Sequence, residues 1–236
     1  MLSRVVAVRE EFETLTRKLI IFGVGEFARI AHEYFEYDSP WQVAGFAVDP
    51  EFMPPESHFR DLPVIPLDQV CSVMPPTSYA GFVAVPATRM NKDRSDLCAR
   101  VKALGYELAT YVSSKAFVWR NVPIGENTFI FESNVLQPFT GVGDRCILWS
   151  GNHIGHGTVI QDDVFISSHV VISGGCRIEH HSFLGVNATV NDGLTIGPGS
   201  LVGAHAHVTR ALPGDQIYVG SPARPLPGKS SDDAGV

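Results

Sequence analysis

Between Ile124 and Val208 an aliphatic residue stands at every sixth position: Ile124, Ile130, Leu136, Val142, Leu148, Ile154, Ile160, Ile166, Ile172, Ile178, Leu184, Val190, Ile196, Val202 and Val208. Four places after each comes a small or medium residue, among them Thr128, Asn134, Thr140, Cys146, Asn152, Cys176 and Ala188. An α-helix turns once in about 3.6 residues and would smear such positions around its surface. A hairpin strand alternates with period two and soon stops. A six-residue period held over this length predicts a parallel β-helix of hexapeptide repeats. Each hexad is then a short strand plus a bend, with its aliphatic side chain pointing inward. Coils stacked about 4.8 Å apart pile like columns on like. Gly125, Gly143, Gly155, Gly185, Gly197 and Gly203 follow aliphatic positions, where the bend calls for a residue that tolerates tight backbone. The alternative, a β-sandwich, needs irregular strand spacing and hairpin turns.

The pattern upstream is different. Lys18 to Phe22 is a short apolar run of strand type, followed by Gly23-Val24-Gly25 and an amphipathic stretch from Arg29 to Tyr37. Strand, glycine turn and helix open a nucleotide-binding βαβ unit, in which backbone N–H groups approach a phosphate at the helix N-terminus. A second strand, Gln42 to Val48, ends at Asp49, where a ribose-binding carboxylate belongs. Further elements follow at Leu62–Ile65, Tyr79–Val85, a helix over 92–104, and Glu107–Val112. About 95 residues precede the repeats from Lys18, too few for a full dinucleotide domain. The plain alternative is a tight turn without a ligand. The expected organisation is a polar extension at 1–17, an α/β Rossmann-like domain at 18–112 that holds a nucleotide through Gly23, Gly25 and Asp49, and an all-β helix at 113–226. Ser113 to Pro123 reads as the link between them. Pro225 to Val236 is rich in Gly, Ser and Asp, so a disordered tail is expected at 227–236.

Composition narrows the classes. With 44% hydrophobic and 18% charged residues, the chain reads as a soluble globule with ample core. No apolar run approaches the roughly 20 residues of a membrane span, and residues 1–18 lack the apolar centre of a signal peptide. A formal net charge of −7 argues against nucleic acid as a partner. Cys71, Cys98, Cys146 and Cys176 have no CxxC spacing, and the last two fall in the small inward column. They read as buried thiols of a reducing, cytoplasmic compartment.

The repeat resembles that of the hexapeptide-repeat acyltransferases, whose prism is a left-handed β-helix with three hexads per coil. Handedness comes from that resemblance, since the general rule for parallel crossovers predicts the opposite. The order of a short nucleotide-binding-like domain followed by a prism is similar to the NeuD-type sialic acid O-acetyltransferases and the PglD- and PerB-like nucleotide-sugar N-acetyltransferases, over about residues 18 to 226. The stretch Ile217 to Arg224 resembles the "VGxPA+" segment beside the coenzyme A site of that group. The prism carries no long inserted loop, unlike xenobiotic and serine acetyltransferases. The histidine that relatives often carry before the link is missing at Tyr111-Val112-Ser113.

Acyl transfer needs a base near the nucleophile and a donor for the thioester oxyanion. Seven of nine histidines lie in the prism: His153, His156, His169, His180, His181, His205 and His207. The segment Asn152 to Ile160 aligns in hexad register with the family segment that carries the catalytic histidine, which implies His156 as base. Gly174 stands one coil on, in the same column, and relatives use that glycine as oxyanion donor. The acidic residue that commonly follows the histidine is Gly157 here, leaving Asp144 and Asp162 as candidates to orient the ring. The resemblance further implies Gly203 and Ala204 against the pantetheine, and Arg210 and Arg224 near the coenzyme phosphates. His169, Asn187 and His205 share another column. Hexapeptide-repeat carbonic anhydrases of the γ type bind zinc through three histidines, but the third position falls here at Arg210, which cannot ligate.

The expected protein is a homotrimeric enzyme without a metal, moving acetyl from acetyl-CoA to an amino group of a nucleotide-linked amino-dideoxy sugar in surface-glycan synthesis. The alternatives are a sialic acid or other sugar O-acetyltransferase, a metal-dependent lyase and a non-catalytic scaffold.

Overall fold

The computed structural model describes residues 17–236. The extension expected at 1–17 therefore falls outside the described residues, except for Arg17. The small domain runs β1 (Arg17–Phe22), α1 (Glu26–Tyr37), β2 (Trp41–Val48), β3 (His58–Phe59), β4 (Leu62–Pro66), α2 (Val70–Val73), β5 (Ala80–Val83) and α3 (Lys92–Ala103). The sheet order is β3-β4-β2-β1-β5, parallel apart from the β3–β4 pair. Leu19 and Ile21 pack with α1, whereas Ile20 and Phe22 pack with α3. A central parallel strand covered on both faces must be apolar throughout, which explains why residues 19–22 do not alternate.

The prism has three sheets of parallel strands, and pairings step by 18 residues up to Val208; the last one on the docked face, Leu201 with Ile217, steps by 16. The docked face, against which the small domain lies, contains Tyr111–Val112, Phe129–Ile130, Ile147–Leu148, Phe165–Ile166, Phe183–Leu184, Leu201–Val202 and Gln216–Val219. The second face runs from Phe117–Val118 to His207–Val208, and the third from Gly141–Val142 to Thr195–Ile196. On the second face Leu136, Ile154, Ile172, Val190 and Val208 stack in register, all at 0% exposure.

Two details refine the repeat. The glycines after aliphatic positions keep ordinary backbone angles, so close approach, not left-handed geometry, selects them. A Cβ on Gly155 would stand 2.6 Å from the Gly174 nitrogen, and one on Gly185 2.6 Å from the Ala204 nitrogen. The left-handed residue lies two places later. Asn127, Ser133, Phe139, Arg145, Gly151, Gly157, Asp163, His169, Gly175, His181, Asn187, Gly193, Gly199 and His205 all have positive φ, one per hexad. Glycine, Asn, Asp and His dominate that column because they tolerate the left-handed region best.

Two expectations at the boundaries need correction. Ser113 to Pro123 is no linker, because Phe117–Val118 is already a prism strand and Tyr111–Val112 pairs with Phe129–Ile130. The six-residue period in fact extends back through Val118 and Val112. The tail expected to be disordered is ordered. Arg224–Ser230 pairs antiparallel with Gln216–Val219, covering a strand that would otherwise end the docked face as an open edge. Beyond it Ser230 caps a short 3₁₀ turn, Asp232 pairs with Lys92 at 3.0 Å, and the Val236 carbonyl accepts the Met90 N–H at 2.9 Å.

The two parts share one core. Phe27, Phe35 and Phe82 of the small domain place their ring centroids 5.6, 5.8 and 5.5 Å from that of Phe129 on the docked face. Arg94, at 0% exposure, sits in the junction over the Phe27 and Phe82 rings and donates to the Asn127 carbonyl at 2.6 Å. Burial pushes its guanidinium down to about 10. Among the described residues no helix is long and apolar enough to cross a membrane.

Candidate active site

His156 stands exposed on the corner between the second and third faces, two places after Ile154. Its backbone is clamped on both sides: its N–H donates to Gln137 Oε1 at 2.9 Å, and its carbonyl accepts the Gly175 N–H at 2.8 Å. The imidazole lies flat against Gly174 of the next coil, so that a Cβ there would meet Cε1 at 2.5 Å and both ring nitrogens at 2.9 Å. A side chain at 174 would push the ring out of this position. The expected pair is thus in contact.

The Gly174 N–H, however, is not free. It donates to Oδ1 of Asp192, one further coil along the same corner, at 3.1 Å. Counting hexads in threes from Gly174 would have found Asp192, 18 residues on.

Asp144 and Asp162 lie elsewhere. They follow Val142 and Ile160 of the third face, so they stand on the corner between the third and docked faces. There Asp144 Oδ1 accepts the Glu126 N–H, Asp162 Oδ1 accepts the Asp144 N–H, and both approach Arg145. They tie coils together and cannot orient His156. Among the described residues the histidine–carboxylate ion pair is His181 with Asp163, at 4.0 Å.

His169 and His205 occupy the corner between the docked and second faces, both exposed and both left-handed. The His169 ring packs over Gly151. Among the described residues no group of three or more His, Cys, Asp or Glu side chains is gathered as a metal site. Burial pushes the Cys146 thiol up to about 12, so it stays protonated.

The coenzyme candidates divide between two corners. Gly203 and Ala204 follow Val202 at the docked–second corner, and Arg224 lies near them, since the neighbouring Ala223 N–H donates to the His207 carbonyl at 2.7 Å. Arg210 follows Val208 and belongs to the His156 corner. All but Gly203 are exposed.

The small-domain candidates come together. Gly23, Gly25 and Asp49 line one cavity of about 380 Å³ with Phe52, Val85, Pro86 and Leu97, at the carboxyl ends of β1, β2 and β5. This is where strand order reverses and where ligands of open α/β sheets bind. Gly23 has φ +130 and lies close against the Ala84 carbonyl, so it serves the turn. Gly25 has open space where a Cβ would stand, and α1 begins there without a side-chain cap. Asp49 accepts from both terminal nitrogens of Arg100 at 2.9 and 2.5 Å, and that guanidinium holds its carboxyl below the usual range.

The cavity and His156 are far apart within one chain. The small domain covers the docked face, and the second–third corner is the vertex opposite that face.

No protein-family profile and no curated protein matches this chain. Solved structures do. A mutant of perosamine N-acetyltransferase from Caulobacter crescentus, in complex with CoA and GDP-perosamine, is similar at TM-score 0.78 and 23% identity, over 89% of this chain and 96% of that one. The acetyltransferase domain of PglB from Neisseria gonorrhoeae, in complex with acetyl coenzyme A, gives 0.77 and 23%, over 90% and 100%. WeeI from Acinetobacter baumannii gives 0.72 and 24%, over 89% and 100%. At these identities the likeness is one of fold: a short α/β domain followed by a left-handed parallel β-helix.

Proposed function

We propose that this protein is an acetyltransferase that moves the acetyl group of acetyl-CoA to the amino group of a nucleotide-linked sugar in surface-glycan synthesis. The observation that carries the reading is the exposed His156 imidazole lying on Gly174, on a fold shared with a perosamine N-acetyltransferase. The sugar nitrogen attacks the thioester carbonyl while His156 takes a proton from that nitrogen. The tetrahedral intermediate collapses, the carbon–sulfur bond breaks, and the imidazolium returns its proton to the departing thiolate. Gly174 N–H is the donor for the oxyanion once the exposed Asp192 carboxylate swings aside.

The acceptor's nucleotide belongs in the Gly23–Gly25–Asp49 cavity, its phosphates at the uncapped start of α1 and its ribose toward Asp49. Acetyl-CoA belongs along Gly203 and Ala204, with Arg210 and Arg224 for its phosphates. The separation of cavity and base supports a site completed between copies of the chain, in a homotrimer. Phe117, Trp119 and Phe139, exposed by 52%, 42% and 74% on the second face and its His156 corner, supply apolar surface for such contact. A cytoplasmic location belongs to the same reading.

The test is thiol release from acetyl-CoA with a panel of UDP-, dTDP- and GDP-linked amino sugars, alongside light scattering. Turnover by a trimer is expected with at least one amino sugar. Turnover only with hydroxyl acceptors would replace N- by O-acetylation, and thiol release with none would overturn the reading. Mixing a His156→Ala variant with a Gly25→Val variant should restore about a quarter of wild-type activity, the share of pairings that join two intact halves.

A further inference from the structure

The loop after β5 serves two cavities. Val85 and Pro86 line the small-domain cavity. Pro86, Ala87 and Thr88 line an apolar cleft of about 250 Å³ between the small domain and the docked face. The loop ends in three consecutive left-handed residues, none of them glycine: Arg89, Met90 and Asn91, with φ of 50°, 55° and 65°. L-residues resist this region, and a run of three persists only where the surroundings impose it.

The surroundings come from the other half of the molecule. Asn91 occupies the N-cap position of α3, where a side chain ordinarily turns back onto the helix's own N–H groups. It makes no such bond. Its carboxamide crosses the junction and donates to the Asp163 carbonyl at 2.7 Å, with Asn91 only 1% exposed. The Asp163 carboxylate is held in turn by Arg145, at 2.7 and 2.9 Å. Met90 is tied on both sides, its N–H to the Val236 carbonyl and its own carbonyl to His181 Nδ1 at 3.2 Å. The helix has given up a cap, and the prism has gained a hold on the cavity wall.

We propose that Asn91 is a positioning residue for the acceptor: by fastening the left-handed turn Arg89–Asn91 to the prism, it sets Pro86 where the nucleotide cavity meets the interdomain cleft. This rests on the reading of the Gly23–Asp49 cavity as the nucleotide site. Two variants separate backbone from side chain. Asn91→Gly keeps the left-handed backbone at ease and removes the carboxamide; Asn91→Ala loses both.

The probes are UDP, GDP and dTDP, titrated by calorimetry, together with amide exchange of residues 84–91 and thermal unfolding. Both variants should exchange faster over 84–91. Both should bind the nucleotide preferred by wild type roughly tenfold more weakly, the worth of one buried hydrogen bond. The KM for acetyl-CoA should not move. A lower melting temperature with unchanged nucleotide affinity would make Asn91 a merely structural residue and overturn the proposal, as would unchanged exchange over 84–91. If wild type binds none of the three nucleotides, the cavity reading itself falls and takes the proposal with it.

Discussion

Ile154 and Arg94 are both at 0% exposure, yet opposite circumstances hold them. Ile154 sits between Leu136 and Ile172, in a column where each rung repeats the one below. Its environment is set by its neighbours 18 residues away on either side, and the same solution recurs along the prism. Arg94 has no repeat. Its Nη2 meets the Asn127 carbonyl, its Nε and Nη1 find no partner among the described residues, and the rings over which it lies come from two separate stretches of the small domain. The prism gains stability by repetition, so a corner residue can change without disturbing the column behind it. The junction is assembled once, from distant segments, and each of its contacts stands alone.

The largest expected effect uses the independence of the prism corners. His156→Ala should lower kcat by roughly 10²–10⁴, the usual worth of a general base, with KM for acetyl-CoA and melting temperature unchanged. His169→Ala and His205→Ala, on another corner, should stay near wild type. Retention of more than about a tenth of kcat by His156→Ala would remove it as the base.

The second prediction sets a prism glycine against a cavity glycine. Gly155→Ala drives a Cβ into the Ser173–Gly174 backbone and should cost about 1–3 kcal/mol, as overpacking does. Gly25→Ala meets nothing within 4 Å and should leave the melting temperature in place while weakening nucleotide binding. Equal losses of stability at the two sites would show that the cavity is as tightly packed as the coils.

At the junction, Asp38 accepts from the Tyr111 hydroxyl, the Ser113 hydroxyl and the Ser114 N–H at 2.5, 3.0 and 3.0 Å. Partial burial raises its carboxyl, but the bonds from Ser114, Tyr111 and Ser113 together outweigh burial and leave it below the ordinary value. A carboxyl depressed in the folded state stabilises above its unfolded pKa, and that stability is lost as pH falls through the lower folded value. Wild type should therefore lose melting temperature below about pH 4, and Asp38→Asn should be about 1–2 kcal/mol less stable at neutral pH with a flatter acid limb. An unchanged acid limb would mean that other carboxylates control it.

The smallest effect is expected at Asp192. Freeing the Gly174 N–H by Asp192→Ala should raise kcat by a few-fold, about the worth of one competing hydrogen bond. A collapse of kcat would instead make Asp192 part of the machinery.

What could be read from the sequence follows the same division. The column residues announce themselves because a period of six belongs to no other common element, and His156 and Gly174 are 18 apart, one coil. The period also marks Val112 and Val118, but Ser113 to Pro123 reads as a linker until those two are counted as rungs. Asp144 and Asp162 were assignable to their own corner by counting hexads in threes; proximity in sequence to His156 misleads there, because neighbouring hexads face different sides. At the junction nothing repeats. Arg94 stands among Lys92, Asp93, Arg100 and Lys102 and reads as one more charge on an exposed helix face; only the Phe27 and Phe82 rings and the Asn127 carbonyl, remote in sequence, bury it. Likewise Pro225 to Val236 has the composition of a free tail, and no local signal tells that Gln216–Val219 and Met90 await it.

The one left-handed residue in each hexad gives the prism a safeguard against misthreading. Suppose a stretch of chain slipped by one place while winding. The residue four after each aliphatic would then enter the left-handed position. At 128, 140 and 158 that residue is Thr, and at 164 and 170 it is Val. These β-branched side chains resist positive φ by about 1–2 kcal/mol each. The slip would also turn the aliphatic side chains out of the core. A wrongly wound coil is thus penalised by its backbone as well as by its core, and the backbone penalty acts before any neighbouring coil has stacked upon it. Proofreading of this kind acts on slips of one place within a hexad and so holds the phase of the repeat along the chain.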